Sequence, residues 1–399
     1  MKDITYCLED LSASDRAFFL EMSSYLSEHI IDLRGDRDNI IFTIDSGQEQ
    51  SVLEKADLLK QMITTKLSAT EDDAAKTTIL ADCSAVSTIN KQNIFPSLMA
   101  AGDIIPIAAG AYAYRGLFLK VYEYFIRKID HFSSLHFSQY DHSTLYVPAL
   151  FPVHDYQKGG YFDTFPHHIM FQTTLKNDLS VLDSFAQSGL QDGVILEQMK
   201  RTENVLRTAA CAPVYPILEN QVLPEEEPTV FFVTGKCYRN EGRNIKELSR
   251  LNEFLMKEYV FIGKPDDVIN CIDQAKELWM EWVRIFSLNC LVETANDSFF
   301  ASNYKKLRLF QMLGSSKNEF KLQLPYSNDY IACSSANFHR THFTKKYNIR
   351  YGEGNSYCHS TCFAFGIDRL AYAFLSQKGL NPDEWDQDTQ SELERYIDL

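Results

Sequence analysis

The 399-residue sequence contains no apolar run near the roughly 18 residues that span a bilayer. Its N-terminus, MKDITYCLED, lacks the charged-then-apolar pattern of a secretion signal, so a cytoplasmic location with no membrane partner is expected. It has no basic excess either: 39 Lys and Arg stand against 54 Asp and Glu, a net charge of -15. Gripping a long polyanion draws much of its affinity from counterions released by a basic surface, so this composition disfavours a general nucleic-acid binder. Nine cysteines at scattered spacings read as free thiols or metal ligands rather than a disulfide framework. Internal repeats and low-complexity tracts are also missing. What is present is 45% apolar and 13% aromatic content, enough to bury a large core. The length predicts two or three domains of about 100–200 residues each.

The pattern along the chain places a first boundary early. Residues 1–67 read as a small α/β unit: strand ITYCLE, a helix opened by Ser12 or Ser14, strand NIIFTID, and helix EQSVLEKADLLKQMITTKL. SATEDDAAKTT then has the composition of a solvated linker, and the expected division is 1–85 against 86–399. Residues 1–110 hold nine Lys and Arg against 18 Asp and Glu, so 9 − 18 = −9 of the net charge lies there. Beyond it, YAYRGLFLKVYEYFIRKIDHF has helical apolar spacing, LYVPALFPVHDYQKGGYFDTFP reads as strand and turn, and a helix follows Pro265. Strands are expected over 228–262 and 319–366. Strand-rich regions without a regular strand-helix-strand rhythm predict an α+β fold with an antiparallel sheet.

One stretch poses a chemical question. YRNEGRNIKELSRLNEFLMKEYVFIG, residues 238–263, carries an acid, Glu258, within an apolar strand. Alternation places Asn252, Phe254, Met256, Glu258 and Val260 on one face, with Phe254 and Glu258 roughly 13 Å apart. Arg239 and Glu241 share a face on the preceding strand. An Arg fork suits a bidentate grip on phosphate or carboxylate, although an ordinary Arg–Glu pair fits this stretch equally. The second constellation, HSTCFAFGIDRLAYAFLSQKG, reads as a strand running into Gly366 and then a helix with Leu370, Ala373 and Phe374 behind it. A helix N-terminus attracts anions, so Arg369 stands where a triphosphate tail fits.

Together these stretches resemble motifs 2 and 3 of class II aminoacyl-tRNA synthetases, and ALFPVHDYQKGGYFDTFP resembles the motif 1 region, with Pro152 as its proline. The closer resemblance is to synthetase-like amino acid:carrier-protein ligases, relatives of the zinc-containing archaeal-type seryl-tRNA synthetases. AACAPVYPIL, CYRNE, NEFLMKEYVFIG, ETANDSFF, SSANFHRTHF and HSTCFAFGIDRLAYAFLSQKG carry it, in family order across roughly residues 100–399. The resemblance implies a class II antiparallel sheet flanked by helices and a homodimer, while the small N-terminal α/β extension is longer than in the minimal ligases and has no assigned role.

It also implies a catalytic zinc held by Cys211, Glu258 and Cys362, with an open position for a substrate amino group. Cys358 and His359 are neighbouring competitors. The alternative is two buried thiols, with Glu258 contacting the amine directly. By the same resemblance, Arg239 bridges the amino acid carboxylate and the ATP α-phosphate. Phe254 stacks on adenine, Glu241 contacts its amino group, Arg369 holds the γ-phosphate end, and Arg250 assists, with Mg²⁺ accompanying ATP. Asn337 and Asp297 lie in matching segments, where each either touches substrate or satisfies backbone donors. DYIACSSANF departs from the seryl pattern in having no Glu three residues before a Ser, which leaves a second metal contact open. The implied activity is adenylation of a small amino acid such as Gly, Ala or Ser and its transfer to the phosphopantetheine thiol of a carrier protein, without tRNA. The helix at 264–287 is the candidate docking surface, although its Ile269, Ile272, Trp279 and Trp282 also suit a core. The alternatives are an atypical zinc-dependent seryl-tRNA synthetase and a non-catalytic paralogue.

Overall fold

The computed structural model describes residues 1–35, 38–64, 77–189, 195–295 and 316–399. The N-terminal unit comprises β1 (Lys2–Cys7), α1 (Ala13–Ser23), β2 (Ile30–Gly35), β3 (Asn39–Ile44) and α2 (Glu49–Thr64). Its three strands form an antiparallel sheet in the order β1-β3-β2. Ser12 is the residue that caps α1, its Oγ accepting the Asp15 N–H at 3.2 Å. Alternating Ile40, Phe42 and Ile44 of β3 pack with Phe19, Met22, Val52 and Ala56 in a separate core. The sequence reading omitted β2. This edge strand, IIDLRG, buries Ile30 while Ile31 points outward, so it lacks a continuous apolar face and owes its form to pairing with β3.

The rest of the chain is organised around an eight-stranded sheet. Its strands are β4 (Ile79–Asp82), β5 (His142–Tyr146), β6 (Thr229–Tyr238), β7 (Glu253–Gly263), β8 (Cys290–Thr294), β9 (Lys317–Leu324), β10 (Asp329–Arg340) and β11 (His359–Gly366). They lie in the order β4-β8-β9-β10-β11-β7-β6-β5, antiparallel except for the β6–β5 pair. Three long helices complete the fold: α3 (Gly116–His136), α4 (Pro265–Ile285) and α5 (Ile367–Lys378). Pro265 opens α4, Asp266 and Asp267 occupy its positive end, and Arg284 its negative end, as the macrodipole favours.

The two faces of the sheet are sorted by residue parity. Tyr259 and Phe261 of β7 point into the main core with Trp279, Trp282, Phe363, Phe365 and Phe374. Met256, Val260 and Ile262 point the other way, into a second core with Val214, Tyr215, Val233, Tyr347 and Cys362. Glu258 belongs to this second face, which the segments around 207–223 and 343–351 cover. One stretch departs from the strand-and-turn expectation. After the short strand Leu150–Pro152 the chain forms helices Val153–Gly159 and Tyr161–Thr164, separated by Gly160 at φ 88. A left-handed residue there ends one helix and redirects the chain, which Gly alone does without steric cost.

Candidate metal and nucleotide site

Sheet register assembles the metal-type cluster. Val260 pairs with Cys362, Glu258 with Ala364, and Cys362 in turn with Asn337 of β10, so Glu258, Cys362 and Asn337 share one face of three adjacent strands. Cys211 arrives over that face from the loop ahead of the short helix Val214–Ile217. Its backbone N–H donates to Glu258 Oε1 at 3.0 Å. The two thiol sulfurs and the carboxylate all lie within 4.8 Å of one another, and all three residues are buried. The neighbouring Cys362 thiol, burial and the Glu258 charge together hold the Cys211 thiol well above its ordinary range.

That donor set suits a thiophilic divalent cation such as zinc. With such a cation held by these three side chains, of mixed sulfur and oxygen character, a fourth coordination position would stay open. Asn337 Nδ2 donates to Cys362 Sγ at 3.5 Å, so Asn337 lines the same pocket. Cys358 and His359 do not join the cluster: His359 pairs with Gly263 at the far end of β11, and the Cys358 carbonyl accepts from Thr344 Oγ1. Asp297 lies outside the described residues.

The sequence reading missed two neighbours of this cluster. His339 Nε2 lies 3.7 Å from Cys362 Sγ, and its Nδ1 is 3.1 Å from the Tyr215 hydroxyl. His339 stands two positions beyond Asn337, at a β-bulge between Phe338 and Arg340 that interrupts simple alternation, and Tyr215 follows Cys211 at an interval of four. Both spacings were visible in the sequence, but only once Asn337 and Cys211 were known to face the cluster.

Farther along the same face, four charged residues converge. Arg239 and Glu241 lie just past the end of β6 at Tyr238, not on the strand. Asn240 Oδ1 accepts the Gly242 N–H, and Gly242 at φ 55 turns the chain away there. Arg239 Nε donates to the Thr208 carbonyl at 3.3 Å, and its guanidinium carbon sits 5.2 Å from the Phe254 ring centroid. Glu241 is buried and accepts from Arg250 Nη1 at 3.1 Å. Arg369 opens α5 and donates to the Ala332 carbonyl at 3.0 Å. Burial, then the nearby positive charges of Arg250 and Arg239, push its pKa down, while Glu241 opposes them. Asp368 fixes this end of α5, accepting from Tyr114 Oη at 2.6 Å and from the Leu255 N–H at 2.7 Å.

The strand that carries Glu258 thus also carries Phe254, beside which three arginines and a buried acid converge. Residues 195–378 match the tRNA synthetase class II core domain (G, H, P, S and T). The amino acid–[acyl-carrier-protein] ligase 1 of Bradyrhizobium diazoefficiens is 31% identical over 233 residues, covering 57% of this chain and 69% of that protein. The chain belongs to the class II aminoacyl-tRNA synthetase-like family. Within that family it is also similar to the type-2 serine–tRNA ligase of Methanocaldococcus jannaschii, 29% identical over 248 residues, which cover 60% of this chain. The chain spans about half, 47%, of that relative's length. Among solved structures, M. kandleri SerRS in complex with A. aeolicus tRNASec superposes with a TM-score of 0.70 at 19% identity. It covers 98% of this chain and 77% of the other, so the fold likeness to that structure extends over the N-terminal unit.

Proposed function

We propose that the protein activates a small amino acid with ATP as an aminoacyl-adenylate and transfers it to the phosphopantetheine thiol of a carrier protein. The observation that carries this reading is the buried Cys211–Glu258–Cys362 cluster, whose Glu258 shares a strand with Phe254, where Arg239, Glu241, Arg250 and Arg369 converge. Zinc held by the two thiolates and the carboxylate would supply a Lewis-acidic position for a neutral amino group, which selects amino acids over hydroxy acids. Asn337 lines that pocket, where one methylene changes affinity by only about 1–3 kcal/mol. Arg239 aligns the substrate carboxylate with the α-phosphate. The carboxylate oxygen attacks the α-phosphorus and pyrophosphate leaves, its negative charge met by Arg369; Mg²⁺ bound with ATP would neutralise part of the same charge. Positioning and charge neutralisation suffice for this chemistry, so no dedicated general base is required. Adenine stacks on Phe254 beside Glu241, and where it takes the ring face now covered by Arg239, that guanidinium swings toward the phosphate. In the second half-reaction the carrier thiol attacks the aminoacyl carbonyl and AMP departs.

The acceptor rests on less. The Bradyrhizobium relative supports a carrier protein, as do the net charge of -15 and the concentration of acid in the first 110 residues. The Methanocaldococcus relative and the 98% coverage by a tRNA-bound structure support serine–tRNA ligation instead. A panel of amino acids is assayed for ATP–pyrophosphate exchange without tRNA, and the activated amino acid is then offered to a phosphopantetheinylated carrier and to total tRNA. We expect a hydroxylamine-sensitive thioester on the holo carrier, none on the apo form, and no charged tRNA. Robust tRNA charging without carrier loading replaces this reading with the tRNA ligase.

A further inference from the structure

The loop between β6 and β7 is held from two directions. Its C-terminal half is tied to the catalytic domain: the Glu247 carboxylate, on a residue at φ 47, accepts from Asn93 Nδ2 at 2.8 Å, Tyr326 Oη at 2.6 Å and Tyr372 Oη at 2.5 Å. Its N-terminal half is tied to the N-terminal unit. Tyr25 Oη donates to the Asn240 carbonyl at 2.9 Å, Ser24 Oγ to Asn244 Oδ1 at 2.7 Å, Asn244 Nδ2 to the Glu21 carbonyl at 3.0 Å, and Arg243 Nε to the Ile31 carbonyl at 3.3 Å. Gly242 makes room for this contact, since a Cβ there would stand 3.2 Å from the Tyr25 ring.

Beside these bonds to neutral acceptors lies an ion pair. Arg250 Nη1 donates at 3.0 Å to Glu21 Oε1 of α1 as well as to Glu241. The Glu21 and Glu241 carboxylates therefore flank a single guanidinium nitrogen, one from each unit, at the edge of a cluster that also contains Arg239 and Arg369. Three arginines in one pocket repel one another, and a long side chain such as Arg250 has many rotamers to choose from. A second carboxylate on the same nitrogen removes that freedom and offsets part of the repulsion.

We propose that the N-terminal unit is a working part of the nucleotide site, and that Glu21 is a positioning residue which fixes Arg250 and the 240–250 loop for ATP. The inference rests on the adenylation reading only for the identity of the nucleotide. A docked but passive unit would make the contacts to neutral acceptors alone. The ion pair reaches a side chain of the site itself, and through Glu241 it links α1 to the acid that faces adenine.

The test uses the full chain with Glu21→Ala, and Glu21→Gln, which keeps an acceptor and loses the charge. ATP affinity is measured by calorimetry, amino acid KM by pyrophosphate exchange, and protection of residues 240–250 by amide hydrogen exchange. Glu21→Ala is expected to weaken ATP binding about tenfold, a typical loss for one charge-assisted bond, with Glu21→Gln between it and wild type. The amino acid KM, set by the Cys-Glu-Cys pocket, should hold, and the loop should exchange faster at an unchanged melting temperature. Unchanged or tighter ATP binding in Glu21→Ala overturns the proposal, as does an equal loss in both substrates, which would mark a structural role only. Wild-type protein that binds ATP but catalyses no exchange with any amino acid sinks the adenylation reading alone and leaves the Glu21 comparison valid.

Discussion

Glu258 is a carboxylate taken out of water in the middle of an apolar strand, and its position is costly unless something on that face offsets its charge. The Cys211 N–H supplies one hydrogen bond, and two thiols stand within ligand distance of a shared point. Metal analysis of purified protein is therefore expected to find about one zinc per chain, from ligands of this softness converging on one site. Cys211→Ser should lose the metal and pyrophosphate exchange together; full exchange in that variant would refute the zinc assignment. The arginines call for a different measurement. Arg239 and Arg369 make few contacts that hold the core, each donating one hydrogen bond to a backbone carbonyl. Arg239→Ala and Arg369→Ala should thus fold with a near-wild-type melting curve and lose about 10²–10³ in exchange rate, the usual loss for one preorganised contact to developing charge. Retained exchange in both would remove these two arginines from the adenylation site.

Elements explain which residues were free to serve the site. Helix α4 carries the apolar residues that a docking surface would need, but Ile272, Trp279 and Trp282 are buried against the sheet. Its outer face shows Ile269 together with Asp266, Glu277 and an Asp273–Lys276 ion pair at 2.7 Å. Trp279→Ala should destabilise the fold by about 3–5 kcal/mol, readable by denaturant unfolding. Ile269→Asp should leave stability within about 0.5 kcal/mol. If Ile269→Asp also leaves carrier loading unchanged, α4 is core and the carrier docks elsewhere. Strand β6 shows the complementary constraint: Gly235 faces the fully buried Arg207, and a Cβ there would collide with the guanidinium, so this strand trades a side chain for a buried cation.

At the scale of the whole molecule, β5 is an edge of the large sheet, and Tyr146 on it is 81% exposed, near the exposed Leu150. A sheet edge with large exposed side chains is usually covered by something, and a second copy of the chain fits the homodimer that the resemblance implies. Light scattering on the purified protein should give about twice the 45.9 kDa chain mass. A monomer at micromolar concentration would remove this expectation. The N-terminal unit also changes character at this scale. By sequence it is an acidic appendage; in the folded molecule it lies against the loop that carries Arg250.

Local pattern was enough for much of this. Parity along residues 252–260 put Phe254 and Glu258 on one face, the apolar spacing after Pro265 marked α4, and Ser12 announced α1, because strand alternation, helical period and capping depend on neighbours within a few positions. The order of short motifs carried the family, and with it the antiparallel sheet. Three things were decided only by tertiary structure. Strand β2 exists because β3 offers it an edge. Arg239 and Glu241 left their expected strand because Gly242 turns beneath Tyr25 of a distant unit. Glu21 reached Arg250 across 229 positions of sequence. Neither β2 nor the Glu21–Arg250 pair has a local signature, since the free energy that fixes each belongs to a contact between segments whose separation the sequence pattern does not record.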